Sequence, residues 1–276
     1  MIRYMAMLML LVLAGCQSVP PPLDQSEYQL VTTQASRAQE PRIRFLVIHY
    51  TAENLPTSLD ILTNHQVSSH YLIPASPHLE KGKPVAWHLV PESQAAWHAG
   101  AGGWRGFTHL NNASIGIELE NPGYRQTLIG PHWTPFASAQ IALLTAIARS
   151  IVARYQIAPQ NVVAHSDIAP LRKQDPGPLF PWKALAQAGI GAWPDEARVS
   201  FYLNGRPFTQ PVDSGRLVDK LARYGYMLSA DMTERQKRQV IAAFQLHFRP
   251  ENHQGYADAQ TEAIVDALLE RYGAGQ

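Results

Sequence analysis

The stretch Arg42-Ile-Arg-Phe-Leu-Val-Ile-His49 is a short apolar run rich in β-branched residues. Such a run predicts a central strand buried on both faces, and it delivers His49 at its C-terminal end. Ser114-Ile-Gly-Ile-Glu-Leu-Glu120 alternates instead: Ile115, Ile117 and Leu119 face one layer, Gly116 and Glu118 the other. Glu118 is therefore expected opposite the apolar face. Ser69–Ile73 and Val85–Val90 read as further strands around a turn region at 74–84. Asn161-Val-Val-Ala-His165 reads as one more, again ending in a histidine. Between them, Thr134 as N-cap and Pro135 at N1 predict a helix start. Ile141, Leu144, Ala148, Ile151, Val152 and Tyr155 then recur at helical spacing. The expected fold of residues 41–192 is α/β, a central mixed sheet flanked by helices.

After Trp193-Pro194 the pattern changes to three short amphipathic helices over 198–273. The first carries Leu217, Leu221 and Tyr224. The second opens on a capping box, Thr233-Glu-Arg-Gln236, and carries Val240, Ile241, Phe244 and Phe248. Asp258 caps the third, which carries Ile264, Val265, Leu268 and Leu269. Gly225 and Gly255 break the connections. The unit is either a small separate all-α domain or a helical cap on the first domain.

The chain has 276 residues, 46% of them hydrophobic and 16% charged, a globular composition. Its 23 Lys and Arg against 22 Asp and Glu leave a net charge of +1, which disfavours nucleic acid as a partner. The single cysteine, Cys16, excludes an intrachain disulfide and a Cys-rich zinc site. A metal must be held by histidine and carboxylate.

Of the eleven histidines, His49 and His165 stand out because both terminate apolar strands, whose ends converge at one rim of a sheet. The segments Val47-Ile-His49, Ser69-His-Tyr-Leu-Ile73, Ala96-Trp-His-Ala-Gly100, Ser114–Glu120, His165-Ser-Asp-Ile-Ala-Pro170 and Arg172-Lys-Gln-Asp-Pro-Gly177 resemble the zinc-dependent N-acetylmuramoyl-L-alanine amidases of the type 2 family. These are relatives of the peptidoglycan recognition proteins, and the resemblance covers roughly residues 41–190, with several motifs in the right order. It implies one Zn²⁺ held by His49, His165 and Asp175, with Glu118 as general base and Lys173 as electrophilic helper. The residue types suit that chemistry. Three protein ligands with an open position mark a catalytic zinc, and a positioned carboxylate moves protons. The resemblance also implies substrate contacts for Tyr71, Trp97 and His98. The helical unit, with Gly225-Tyr226 and Ala243-Phe244-Gln245, resembles a peptidoglycan-binding domain. The implied activity is hydrolysis of the amide between N-acetylmuramic acid and L-alanine, with peptidoglycan and muropeptides as partners and the chain a monomer. The alternatives are a non-catalytic murein-binding protein and a wall-tethering lipoprotein.

Residues 4–14 form an apolar run behind Arg3, too short to span a bilayer, and read as a secretory signal over 1–15. Leu13-Ala14-Gly15-Cys16 resembles a bacterial lipobox, which implies lipidation of Cys16 and a flexible tether over 16–40 containing Pro20-Pro21-Pro22. Gln17 after the cysteine implies, in lipoproteins, the outer membrane, with the protein facing the periplasm. Cys16→Ser is expected to release the protein from the membrane fraction, because acyl chains supply the anchoring. Persistent pelleting with membranes after a salt wash contradicts it.

Overall fold

The computed structural model describes residues 28–273 apart from 29, 32, 35 and 129. The signal segment, Cys16 and most of the tether lie outside the described residues. Residues 28–40 carry no helix or strand where described, and the chain from Pro41 on forms one compact unit.

That unit opens with β1 (Phe45–Tyr50), α1 (Leu55–Asn64), β2 (Tyr71–Ile73), the short pair β3 (Leu79–Glu80) and β4 (Lys83–Pro84), and β5 (Trp87–His88). It continues through β6 (Ser114–Leu119), the hairpin β7 (Tyr124–Thr127) and β8 (Gly130–Trp133), α2 (Ser138–Tyr155), β9 (Val162–Ala164) and α3 (His165–Ile168). Helices α4 (Trp182–Gln187), α5 (Glu196–Leu203), α6 (Ser214–Tyr224), α7 (Glu234–Phe248) and α8 (Ala259–Tyr272) complete it. The five-stranded sheet runs β5-β2-β6-β1-β9. All neighbours are parallel except β5 against β2, so the sheet is mixed.

Alternation along the strands splits the core in two. Leu46, Ile48, Ile115 and Ile117 pack with Leu144 and Ile151 of α2 on one face. Phe45, Val47 and Val163 on the other face share a continuous core with Leu221, Phe244 and Phe248 of the C-terminal helices. The helical unit therefore buries its apolar faces against the sheet domain. The predicted central strand and the facing of Glu118 hold, since β1 lies between β6 and β9 and its register pairs His49 with Glu118.

Three local readings are corrected. Helix α2 begins at Ser138 behind Ala137, not at Pro135. Asn121 donates to the carbonyls of Thr134 and Pro135 at 3.2 Å each, and the Thr134 amide donates to Gly123, so that segment stays tied to the hairpin. His165 does not end a strand but opens α3, because the Asp167 carboxylate accepts the Ala164 amide at 2.8 Å and starts the turn. A fourth helix, α5, precedes the three expected ones, capped by Asp195 and packed on α8. None of its residues is buried, so no apolar stripe announced it. Among the described residues no helix is long and apolar enough to cross a membrane.

Candidate metal centre

His49 comes from the end of β1, on the face shared with Phe45 and Val47, away from α2. His165 follows β9 one strand away. Asp175 arrives on the loop after α3, whose backbone is pinned where the Ser166 amide donates to the Asp175 carbonyl at 3.0 Å. The three side chains meet: His49 Nδ1 lies 3.0 Å from His165 Nδ1, and Asp175 Oδ2 lies 3.0 Å from His165 Nδ1 and 3.3 Å from His49 Nδ1. All three are buried, and among the described residues they form a group whose donor atoms could together hold a metal ion. Two lone-pair nitrogens and a carboxylate oxygen about 3 Å apart match the edges of a tetrahedron with bonds of ~2.0–2.1 Å, so the donor set fits zinc.

The electrostatics follow from burial. His49 is lowered to about 4 by desolvation and by the neighbouring His165, against the pull of Asp175. Asp175 would be raised by burial alone, but the charge and hydrogen bonds of His165 and His49 hold it well below the ordinary carboxylate range. Desolvation, reinforced by Asp175 and opposed by Lys173, raises Glu118 to about 8. His98 is pushed well below the ordinary imidazole range by burial, with the neighbouring histidines adding to it.

A cleft of about 620 Å³ opens over the cluster, and Glu118, Lys173 and Trp97 line it. Trp97 is 61% exposed at this cleft. The other two expected substrate residues are placed differently. Tyr71 is not among the lining residues; its hydroxyl donates to Glu92 at 2.7 Å and its ring stacks on His88. His98 reaches the cleft but is only 8% exposed, its ring nitrogens on His49 and Ser114. Residues that sequence reasoning missed complete the walls: Trp133 from the hairpin, Gln239 and Leu246 from α7, and His253. No local motif marks them, because each reaches the cleft only through tertiary packing.

A profile of the family described as N-acetylmuramoyl-L-alanine amidase matches residues 39–178. The chain belongs to this amidase family. It is 56% identical over 263 residues to the N-acetylmuramoyl-L-alanine amidase AmiD of Escherichia coli strain K12, covering 95% of this chain and 95% of that protein. Among solved structures, the complex of Escherichia coli AmiD with the substrate anhydro-N-acetylmuramic acid-L-Ala-D-gamma-Glu-L-Lys superposes with a TM-score of 0.88 at 57% identity, over 90% of this chain and 97% of that one. AmpDh3 from Pseudomonas aeruginosa in complex with anhydromuramic pentapeptide gives 0.77 at 39% identity, over 92% and 100%. Both comparisons extend well beyond the profile, through the C-terminal helices. In this amidase chain the type 2 fold expected from the motifs is present, and His165, Asp175, Glu118 and Lys173 line one cleft, with His49 buried directly behind His165 and Asp175.

Glu118 has a testable signature in the metal-free protein. Its folded pKa is raised from an ordinary 4.5 to about 8, so the stability tied to it is fully present below 4.5 and lost as pH rises through 8. Glu118→Gln removes that loss. Thermal melts of the metal-free variant are expected to exceed the parent at pH 9 and to lose that advantage by pH 5. The same difference at both pH values contradicts the assignment.

Proposed function

We propose that the chain is a zinc-dependent hydrolase of the amide between N-acetylmuramic acid and L-alanine, acting on peptidoglycan or its fragments and releasing stem peptides in murein turnover. The observation that carries the reading is the convergence of His49, His165 and Asp175 beneath a cleft that also presents Glu118 and Lys173. Its relatives include an amidase described as a complex with a muramyl-peptide substrate.

His49, His165 and Asp175 would hold the zinc, which when bound would supply Lewis acidity to polarise the scissile carbonyl and acidify water. The chain's own groups do the rest. Glu118 takes a proton from the attacking water and returns it to the leaving amide nitrogen as the C–N bond breaks. A positioned carboxylate can serve in turn as proton acceptor and donor. Lys173 places its ammonium where the carbonyl oxygen gains charge. Trp97 offers an exposed aromatic face to the sugar or stem. Tyr71, held by Glu92 and outside the cleft lining, leaves the substrate contacts to Trp97 and the other cleft walls.

The same reading makes the protein a monomeric outer-membrane lipoprotein, anchored by acyl chains on Cys16 and facing the periplasm. Its support is the signal-like run, Leu13-Ala14-Gly15-Cys16, Gln17 and the tether composition.

The test is amide hydrolysis by the purified protein on murein and on soluble muramyl peptides. Activity is expected to disappear with chelator and return with zinc. Glu118→Ala is expected to keep its zinc while kcat falls ~10²-fold or more. Full turnover after chelation, or in Glu118→Ala, overturns the reading; loss of zinc in that variant makes Glu118 a ligand instead.

A further inference from the structure

The inward face of β6 presents Ser114, Gly116 and Glu118 at alternate positions. The ring of His98 lies flat against this face. A Cβ at Gly116 would stand 2.5–2.8 Å from three of its ring atoms, so only glycine leaves room for it. The ring bridges two partners: Nε2 lies 3.1 Å from Ser114 Oγ, and Nδ1 lies 3.0 Å from His49 Nε2.

The direction of these bonds is set at the far end. Ser114 Oγ also lies 2.5 Å from the Leu110 carbonyl oxygen, which can only accept. The single hydroxyl proton is therefore committed to Leu110, and Ser114 Oγ must accept from His98 Nε2–H. A neutral imidazole protonated on Nε2 has a bare Nδ1, which accepts from His49 Nε2–H. His49 is left with its lone pair on Nδ1, the atom facing His165 and Asp175. From this geometry we infer that His98 is a positioning residue of the metal centre. Together with Ser114 and the space at Gly116, it locks His49 in the Nε2-protonated tautomer and aims Nδ1 at the ion. This inference rests on the reading of His49 as a zinc ligand. A ligating histidine commonly donates its second ring N–H to a carboxylate, carbonyl or water. Here the acceptor is a neutral imidazole, which fixes the tautomer without adding negative charge beside Asp175 and Glu118.

The test uses the purified full chain with ¹⁵N-labelled histidine. In the metal-free parent, two-bond ¹H–¹⁵N spectra are expected to show His49 protonated on Nε2 and bare on Nδ1. Zinc affinity is read by competition with a chromogenic chelator. His98→Ala is expected to weaken it ~10–100-fold, the usual cost of losing such a partner. Gly116→Ala, which displaces the ring without deleting any hydrogen-bonding group, and Ser114→Ala are expected to weaken it in the same direction. His98→Gln offers one acceptor and one donor on a single planar amide and is expected to retain more affinity than His98→Ala. Zinc affinity in His98→Ala within twofold of the parent overturns the inference, as does His49 protonated on Nδ1 in the metal-free parent. If His98→Ala fails to fold, the parent tautomer and Ser114→Ala still decide. If the parent binds no zinc, the metal reading fails, while the His49 tautomer still decides the relay.

Discussion

One buried carboxylate joins the parts of this molecule. Asp167, 1% exposed, accepts the Ala164 amide, the Tyr226 hydroxyl at 2.5 Å and His247 Nδ1 at 2.7 Å. The first bond starts α3 and so places His165. The other two come from the C-terminal helical unit, where the His247 ring is also stacked on Trp182 with centroids 3.8 Å apart. Burying a carboxylate is costly unless its oxygens are satisfied, and removing one partner of a buried pair typically costs ~3–5 kcal/mol. The same group thus positions His165, one of the three proposed zinc ligands, and fastens the helices to the sheet.

That joint explains why the helical unit cannot be viewed as a remote appendage. Its apolar faces complete the second core, and α7 contributes a wall of the catalytic cleft. The parallel register of β1 and β6 supplies the other half of the arrangement. It sets His49 beside Glu118, and the period-two alternation turns both away from α2, toward the cleft.

Much of this was legible in the sequence because it is local. A β-branched run, an alternating strand and a histidine after each of two apolar strands are written in consecutive residues, as are the caps at Thr233 and Asp258. The trio of His49, His165 and Asp175 was legible through its motifs, and the fold brings the three together. What was not legible depends on distant contacts. His98 was expected to contact substrate and does reach the cleft, but its second engagement, with His49 and Ser114, joins residues 49 and 16 positions away. Tyr71 was diverted by Glu92, 21 positions on. The start of α2 was moved by Asn121, and α5 lacks any buried residue that periodicity could register. In each case a tertiary hydrogen bond or an exposed face outweighed the local pattern.

Everything proposed for the site turns on His49, His165 and Asp175 together holding one zinc ion. X-ray absorption at the zinc edge of the purified protein tests it most directly. One zinc per chain is expected, bound by two imidazole nitrogens and carboxylate oxygen at ~2.0–2.2 Å, with no sulfur. A first shell without imidazole, or one containing the sulfur of Cys16, contradicts it.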